Sequence, residues 1–499
     1  MRESARYAFT NLTLLMAMTM GSKQILAAGS SVHIQVDISE TKGAIAKGIG
    51  GLLTDPPRGP GLHMERGDPL GFNCHLLPEV KPSIVGLGWG GDVWWAYQPC
   101  PSEGVYDFGP LVERIKQFRE AGIEVRMNFC YVPEWLWDND TYDDNEAIAG
   151  APEQTIFHYL KKGYTRPPKD YDKWRTLVSD TVHHLNEVEQ LDVHFDIHNE
   201  PNINWFWNAT LEELLEFYQV TAEAVKAASP SSKVGGAGFA MNSQTSFDWD
   251  WFEAWVKHCA ENETPVDFIS WHYYLLAAMN YKRVMDFEKQ AEKVRGLIDK
   301  YPGIGNPEFY MTEWSYYWDL RRQPVDGFNG AYVAQSLGLM LKAGYSKALY
   351  CGPLGPSESP DSAAQALWMF NRLASHQLEA TLDGEDNSVG AIAAGEEGKI
   401  SLLVWDFPFS AEDGVPQKYR YEKGLESIPA NSISIQLNGL PSGNYRYTRY
   451  STGERDGNVF APVAERGNSQ SDGQLTINFY IQAYQVALVE IIPGKKDLQ

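Results

Sequence analysis

The chain has 499 residues, 43% of them hydrophobic and 13% aromatic, which is enough apolar side chain to bury more than one core. A formal net charge of −23 and an isoelectric point near 4.9 exclude nucleic acid and anionic membrane surfaces as partners, because both would be repelled. Arg2 and Arg6, an apolar run over 12–20, and the small residues Ala27, Ala28 and Gly29 read as a signal peptide over 1–28. Its apolar core is too short to span a bilayer, so a secreted or periplasmic protein that leaves the membrane after signal removal is expected.

From Val32 to Ile38 apolar and polar residues alternate, which is the period of a half-buried strand. The same period returns only near the C-terminus, so the segment 29–44 is expected to pair there. Between 45 and 378 the pattern alternates strand and helix. A first strand lies near Gly48–Gly51, and a Gly/Pro-rich loop follows over 54–82. An amphipathic helix covers 111–121, a strand 123–129, and another strand 193–197. Thr210 with Glu213 forms a capping box, and Leu211, Leu214, Leu215, Tyr218, Ala222 and Val225 keep one face of the next helix apolar until Ser229-Pro230 stops it. A strand at 233–236, helices over 331–343 and 364–374, and a strand at 348–352 continue the rhythm. This predicts an α/β chain, a (β/α)8 TIM barrel over 45–378. Beyond 378 the period becomes two, with short alternating runs at 388–394, 400–407, 433–437, 445–450, 475–480 and 485–492, so residues 379–499 are expected to form an antiparallel β-sandwich.

Two of the barrel strands end on a glutamate. Val193 to Ile197 runs into His198-Asn199-Glu200-Pro201, and Phe309-Tyr310-Met311-Thr312 runs into Glu313-Trp314. Pro201 cannot donate to a sheet and restricts the residue before it, so Glu200 is expected to be extended and to open a loop. One Glu before Pro is commonly a solvated turn residue; two such endings about three strand-helix units apart fall on the fourth and seventh strands of an eightfold barrel, on its catalytic face. Trp94-Trp95, Trp135, Trp137, Trp205, Trp207 and Trp318 also follow strand ends, where flat rings suit the apolar faces of sugars. Each ring can equally be a packing residue.

With the segments 167–174 (Pro-Pro-Lys-Asp-Tyr-Asp-Lys-Trp), 267–274 (Asp-Phe-Ile-Ser-Trp-His-Tyr-Tyr) and 312–314 (Thr-Glu-Trp), the chain resembles family 39 of the glycoside hydrolases over roughly 45–410. The resemblance implies a retaining glycosidase, with Glu200 as general acid/base and Glu313 as nucleophile; the sequence shows no metal-ligand spacing, and no cofactor is expected. It also implies that Asn199 contacts a sugar hydroxyl and that His272 and Tyr274 flank Glu313 in the pocket. Its first-choice substrate is a β-xyloside; α-L-iduronide, β-glucoside, β-galactoside and endo-acting variants remain alternatives, as does a sugar-binding barrel without turnover. The family's basic residue near the end of the second strand is missing from Ile84 to Asp92, and its strand-eight Trp is missing from Ala348 to Gly352. Trp89 and Trp94 on one side, and Trp314 and Trp318 on the other, are the candidates to take over as sugar platforms. Arg321 and Arg322 suit an acidic substituent.

Opposite protonation states of the two glutamates imply a bell-shaped pH profile, expected on the acid side of neutrality. Five cysteines leave one unpaired at least; Cys74 and Cys100 could bridge, whereas Cys130 and Cys351 read as buried thiols. The sequence does not set the oligomeric state.

Overall fold

The computed structural model describes residues 29–54, 76–87, 99–138, 162–241, 249–274, 285–316, 326–352, 354, 361–384, 388–408, 430–452 and 463–494. The signal peptide expected over 1–28 lies outside them, as do Cys74, Trp89, Trp94, Trp318, Arg321 and Arg322. Eight strands close a barrel: β2 (Gly51–Thr54), β3 (Ile84–Leu87), β4 (Glu124–Phe129), β5 (Val193–Ile197), β6 (Val234–Ala240), β7 (Phe268–Tyr274), β8 (Glu308–Ser315) and β9 (Lys347–Tyr350). All neighbours run parallel, and β9 returns to β2. Strands in such a barrel are covered by helices outside and side chains inside, and every residue of β5, β6 and β7 is buried. The protein is a TIM barrel, with the fourth strand leading to Glu200 and the seventh carrying Glu313.

The second region is one nine-stranded sheet. Its order is β15 (Val463–Ser471), β14 (Gly443–Ser451), β17 (Val486–Pro493), β12 (Lys399–Asp406), β11 (Val389–Glu396), β10 (His376–Asp383), β1 (Ser31–Ala44), β13 (Asn431–Asn438) and β16 (Gln474–Ile481). The N-terminal strand β1 sits between β10, antiparallel, and β13, parallel. All other pairs are antiparallel. The two edge strands β15 and β16 are consecutive in sequence and joined by residues 472–473 alone. That link reaches about 10 Å at most, so the sheet has to roll until its edges meet. The two layers of the expected sandwich are therefore two halves of a single sheet.

Burial explains the differing sequence patterns. Leu402 and Val404 of β12 point into the sheet's own core, whereas Leu403 and Trp405 lie on the barrel core. With both faces covered, β12 is buried from Ile400 to Asp406, whereas β16, with one face to solvent, alternates exposed and buried throughout. The Trp405 indole donates to Gln335 on the helix Asp326–Ala343 (2.6 Å), and Phe328 of that helix packs on Phe407 and Tyr484. The sheet begins at His376, slightly before the expected boundary, because β10 has no clean alternation to mark it. Cys100, Cys130, Cys259 and Cys351 are all buried, and Cys74, the suggested bridge partner of Cys100, lies outside the described residues.

Candidate active site

Beneath the mouth of the barrel the inward-facing residues are polar. Arg126 of β4 and Asp196 of β5 are both essentially unexposed and pair through the guanidinium Nε (2.9 Å) and Nη2. The other oxygen of Asp196 accepts the Ser270 hydroxyl (2.7 Å), and Ser270 Oγ accepts the Gly238 backbone N–H (2.8 Å). The Gly238 carbonyl accepts the Glu200 N–H at 2.9 Å. A continuous chain of hydrogen bonds thus runs from a buried ion pair to the backbone of Glu200. Gly238 has φ +60, and a Cβ there would stand 3.2 Å from the His198 carbonyl and 3.4 Å from His272 Nε2. Glycine alone adopts that backbone without strain and without filling the space.

Glu200 is not extended. Its φ is +45, in the left-handed region, and His198 has φ +70. Such a conformation costs a residue with a side chain on the order of 1–2 kcal/mol and persists where the surroundings over-determine it. Here they do. The Glu200 N–H is tied to β6, and two residues on Asn202 binds the same strand, donating to the Ala240 carbonyl and accepting its N–H, each at 3.0 Å. Asn128 donates to the His198 carbonyl (3.0 Å), while the His198 ring lies edge-on to Trp207 (5.0 Å) and Phe217. The loop then enters the helix Leu211–Ala228 through the Thr210/Glu213 capping box, formed with both hydrogen bonds.

Glu313 reaches the same space by a different device. It is the sixth of eight residues in β8, two short of the strand's end. Tyr310 points inward, stacked on Phe268 at 4.1 Å, and Phe309 points outward onto Trp271. Strict alternation from Tyr310 would turn Glu313 outward. Instead Met311 pairs with Trp271 and Glu313 with His272, so that Thr312 is skipped. This irregularity reverses the phase, a known effect of bulges in strands near sites, and brings Glu313 inside beside His272. The same reversal turns Trp314 outward against Tyr332 and Tyr350, with 0% exposure. A ring with no open face cannot be a sugar platform, which corrects the expectation for Trp314.

The two carboxyl groups meet around one imidazole. His272 Nδ1 stands 3.0 Å from Glu200 Oε1 and 3.5 Å from Glu313 Oε2, and the Tyr274 hydroxyl donates to Glu313 Oε2 at 2.8 Å. Carboxylate oxygens of both glutamates and a ring nitrogen of His272 lie within 4.8 Å of one another. That is the one His/carboxylate trio with the spacing of a cation site among the described residues; Tyr274 already donates to the Glu313 oxygen facing it.

Burial pushes the Glu200 carboxyl up to about 8. Burial also raises Glu313, to about 7, held back mainly by the neighbouring His272 and helped upward by Glu200. Burial lowers His272, opposed by the neighbouring Glu313. Two neighbouring acids thus differ in the direction that acid/base chemistry needs, Glu200 being the one that keeps its proton longer.

Asn199 is buried beside Glu200, and neither its Oδ1 nor His272 Nε2 has a hydrogen-bond partner among the described residues. Trp135 and Trp205 are half-buried in the loops after β4 and β5, with the Trp135 indole donating to the Cys100 carbonyl (3.1 Å). Trp89 and Trp318 lie outside the described residues. Sequence reasoning missed Arg126, Asp196 and Ser270. The signal was present: Arg126 and Asp196 are opposite charges inside adjacent apolar strands, and charges buried on both sides must pair.

The profile of Glycosyl hydrolases family 39 matches residues 73–345. A beta-xylosidase of Geobacillus stearothermophilus is 28% identical over 350 residues, which cover 63% of this chain and 64% of that protein. The chain thus spans just under two thirds of the length of the curated relatives that it matches. Among solved structures, the GH39 enzyme from Xanthomonas axonopodis pv. citri superposes with a TM-score of 0.71 at 20% identity, covering 96% of this chain and 100% of that one. A monomeric beta-xylosidase from Caulobacter crescentus CB15 gives a TM-score of 0.70 at 19% identity, covering 92% of this chain and 99% of that one. The structural likenesses show a shared fold.

Proposed function

The chain belongs to family 39 of the glycosyl hydrolases, and from that premise we propose that it is a retaining glycosidase, with Glu200 as acid/base, Glu313 as nucleophile and a β-xyloside as first-choice substrate. The observation that carries the reading is the pair of buried carboxyl groups with oxygens within 4.8 Å. Retaining enzymes hold their carboxyl groups about 5–5.5 Å apart, whereas inverting ones leave room for a water at about 6.5–9.5 Å.

In the first step Glu200 gives its proton to the glycosidic oxygen while ionised Glu313 attacks the anomeric carbon, so the leaving alcohol departs and an ester forms on Glu313. In the second step Glu200, now ionised, takes a proton from water, which attacks the same carbon and releases Glu313. Tyr274 fixes the Glu313 oxygen that it holds, and neutral His272, with its proton on Nδ1, donates to Glu200 after the proton has left. The unpaired Oδ1 of Asn199 is an acceptor that a sugar hydroxyl would satisfy.

Incubation with aryl β-xyloside and a panel of other aryl glycosides, with the anomer followed by NMR, tests this reading. Net retention, and a mass increase on the peptide containing Glu313 after treatment with a 2-fluoro-xyloside, are expected. Net inversion, or no turnover of any aryl glycoside or polysaccharide, would falsify it.

A further inference from the structure

On the outer face of the rolled sheet, where β12, β14, β15 and β17 meet the end of the last barrel helix, lies a cleft of about 510 Å³ walled by Arg372, Lys399, Arg446, Arg466 and Glu490. Four cations around one carboxylate are out of keeping with a chain of net charge −23. Register explains how they gather. Thr448 stands opposite both Arg466 and Glu490, and Arg446 opposite Asn468, so these residues share one face of the sheet. The nearby Glu465 is on the other face, where it binds the Tyr447 hydroxyl and the Arg449 guanidinium.

The charge of Glu490 is already matched, by Arg372 and Lys399, each at 2.8 Å. Arg372 is further fixed over the rings of Trp368 (4.7 Å) and Tyr450 (5.8 Å), which makes a stiff wall. Arg446 and Arg466 are exposed and have no carboxylate partner among the described residues. Their planar guanidinium groups present paired donors that fit carboxylate or sulfate oxygens, and the Thr448 hydroxyl and Asn468 amide between them fit sugar hydroxyls.

We infer that this cleft is a second glycan site, separate from the glutamate pair, which holds an acidic segment of a polysaccharide through uronate or sulfate groups on Arg446 and Arg466. Arg372 follows the C-terminus of the last barrel helix, Ser362–Asn371. Barrel helices run back from the mouth, so the cleft lies toward the end of the barrel opposite the glutamates. Only a polymer reaches both places, and the cleft therefore anchors the chain rather than reading the scissile unit. A nucleic acid is a poorer fit, because it needs a longer basic track than this and the rest of the surface is acidic. The inference rests on the glycosidase reading only for its choice of a glycan over other anions.

Calorimetric titration of the full chain at low salt with a galacturonate hexamer, a neutral xylose hexamer and a thymidylate hexamer decides the matter. The galacturonate hexamer is expected to bind saturably and to weaken as salt is added. In Arg446→Ala/Arg466→Ala its dissociation constant should rise at least tenfold, while hydrolysis of an aryl glycoside stays unchanged. Absence of saturable galacturonate binding, undiminished binding to the double variant, or equal affinity for the thymidylate hexamer would each overturn the inference. Galacturonate binding that is lost in the double variant, in a protein that hydrolyses nothing, would keep this site and remove the glycosidase reading instead.

Discussion

The inside of the barrel below Glu200 and the inside of the rolled sheet are equally closed to water, yet they are made of opposite materials. The sheet encloses Val32, Ile34, Ile433, Ile435, Leu437 and Val489 with partners of the same kind, so its burial yields stability and nothing else. The barrel mouth encloses two carboxyl groups, an imidazole, a phenol and, one layer down, an ion pair with a serine. There, burial works against the charged forms and is the cause of the raised values at Glu200 and Glu313. The same physical act, removal of water, makes a scaffold in one place and a reactive site in the other.

Substitutions should divide along that line. The largest effect is expected at Glu313: Glu313→Ala should lower kcat by ~10⁴-fold or more, as removal of a nucleophile does, and azide should restore turnover with a glycosyl azide of inverted configuration. A retained product from that variant would place the nucleophile elsewhere. Next comes Glu200→Gln, with a loss of about 10²–10⁴-fold on substrates with poor leaving groups.

The wild-type profile of kcat/KM should be bell-shaped, its acid limb set by Glu313 near 7 and its alkaline limb by Glu200 near 8. With both groups raised by burial, the optimum is expected above the acid-side position that the sequence suggests. Glu200→Gln should erase the alkaline limb on activated aryl glycosides, and a persisting limb would show that another group donates the proton.

A smaller effect is expected one layer down. Asp196→Asn keeps the shape but leaves the Arg126 guanidinium, whose charge acts on Glu313, unmatched, and the extra positive charge favours the ionised form of Glu313. The acid limb should move to lower pH, kcat/KM should fall by about 10–100-fold, and stability should drop by about 3–5 kcal/mol, the usual cost of breaking a buried pair. An unshifted acid limb would mean that the ion pair supports the fold alone.

The smallest catalytic effect belongs to the sheet. Ile435→Ala should cost about 2–5 kcal/mol of stability and leave kcat and KM as they were; altered kinetics would join the two interiors functionally. The comparison can also be sharpened by titration. A carboxyl group raised from 4.5 to about 8 in the fold stabilises it fully below pH 4.5, and that contribution is lost as pH rises through 8. Glu200→Gln has no such loss, so its melting temperature should exceed that of the wild type increasingly between pH 5 and pH 9.

Much of the barrel and its site is legible in the amino-acid sequence. Asn199-Glu200-Pro201 and Thr312-Glu313-Trp314 mark the fourth and seventh strands, and the Thr210/Glu213 box forms as its spacing implies. Two features are not legible there, for the same reason. Proline disfavours the helical region for Glu200 but says nothing about the left-handed one, which hydrogen bonds to β6 select. Period two, applied to β8, turns Glu313 away from the pocket and Trp314 toward it, and only the irregular register with β7 corrects both. These are contacts between strands, and no local pattern encodes them. In the sheet, β10 and β15 carry no strand signal because the mixed run 376–383 and the polar run Glu465 to Ser471 do not alternate.

The position of β1 has a consequence for the order in which the molecule is completed. Ser31 to Asp37 can find Ser432 to Asn438 only after some 400 further residues have been made, which at about 5–20 residues per second is a wait on the order of 20–80 s. During that wait the barrel between them can fold, and β1 is a half-apolar ribbon that lacks β13 throughout and β10 until residue 383 is made. The strand pairs synthesised last therefore complete a sheet whose middle was begun by the first strand, and shortening that strand should leave a finished barrel attached to two half-sheets with new open edges, prone to pairing with other chains.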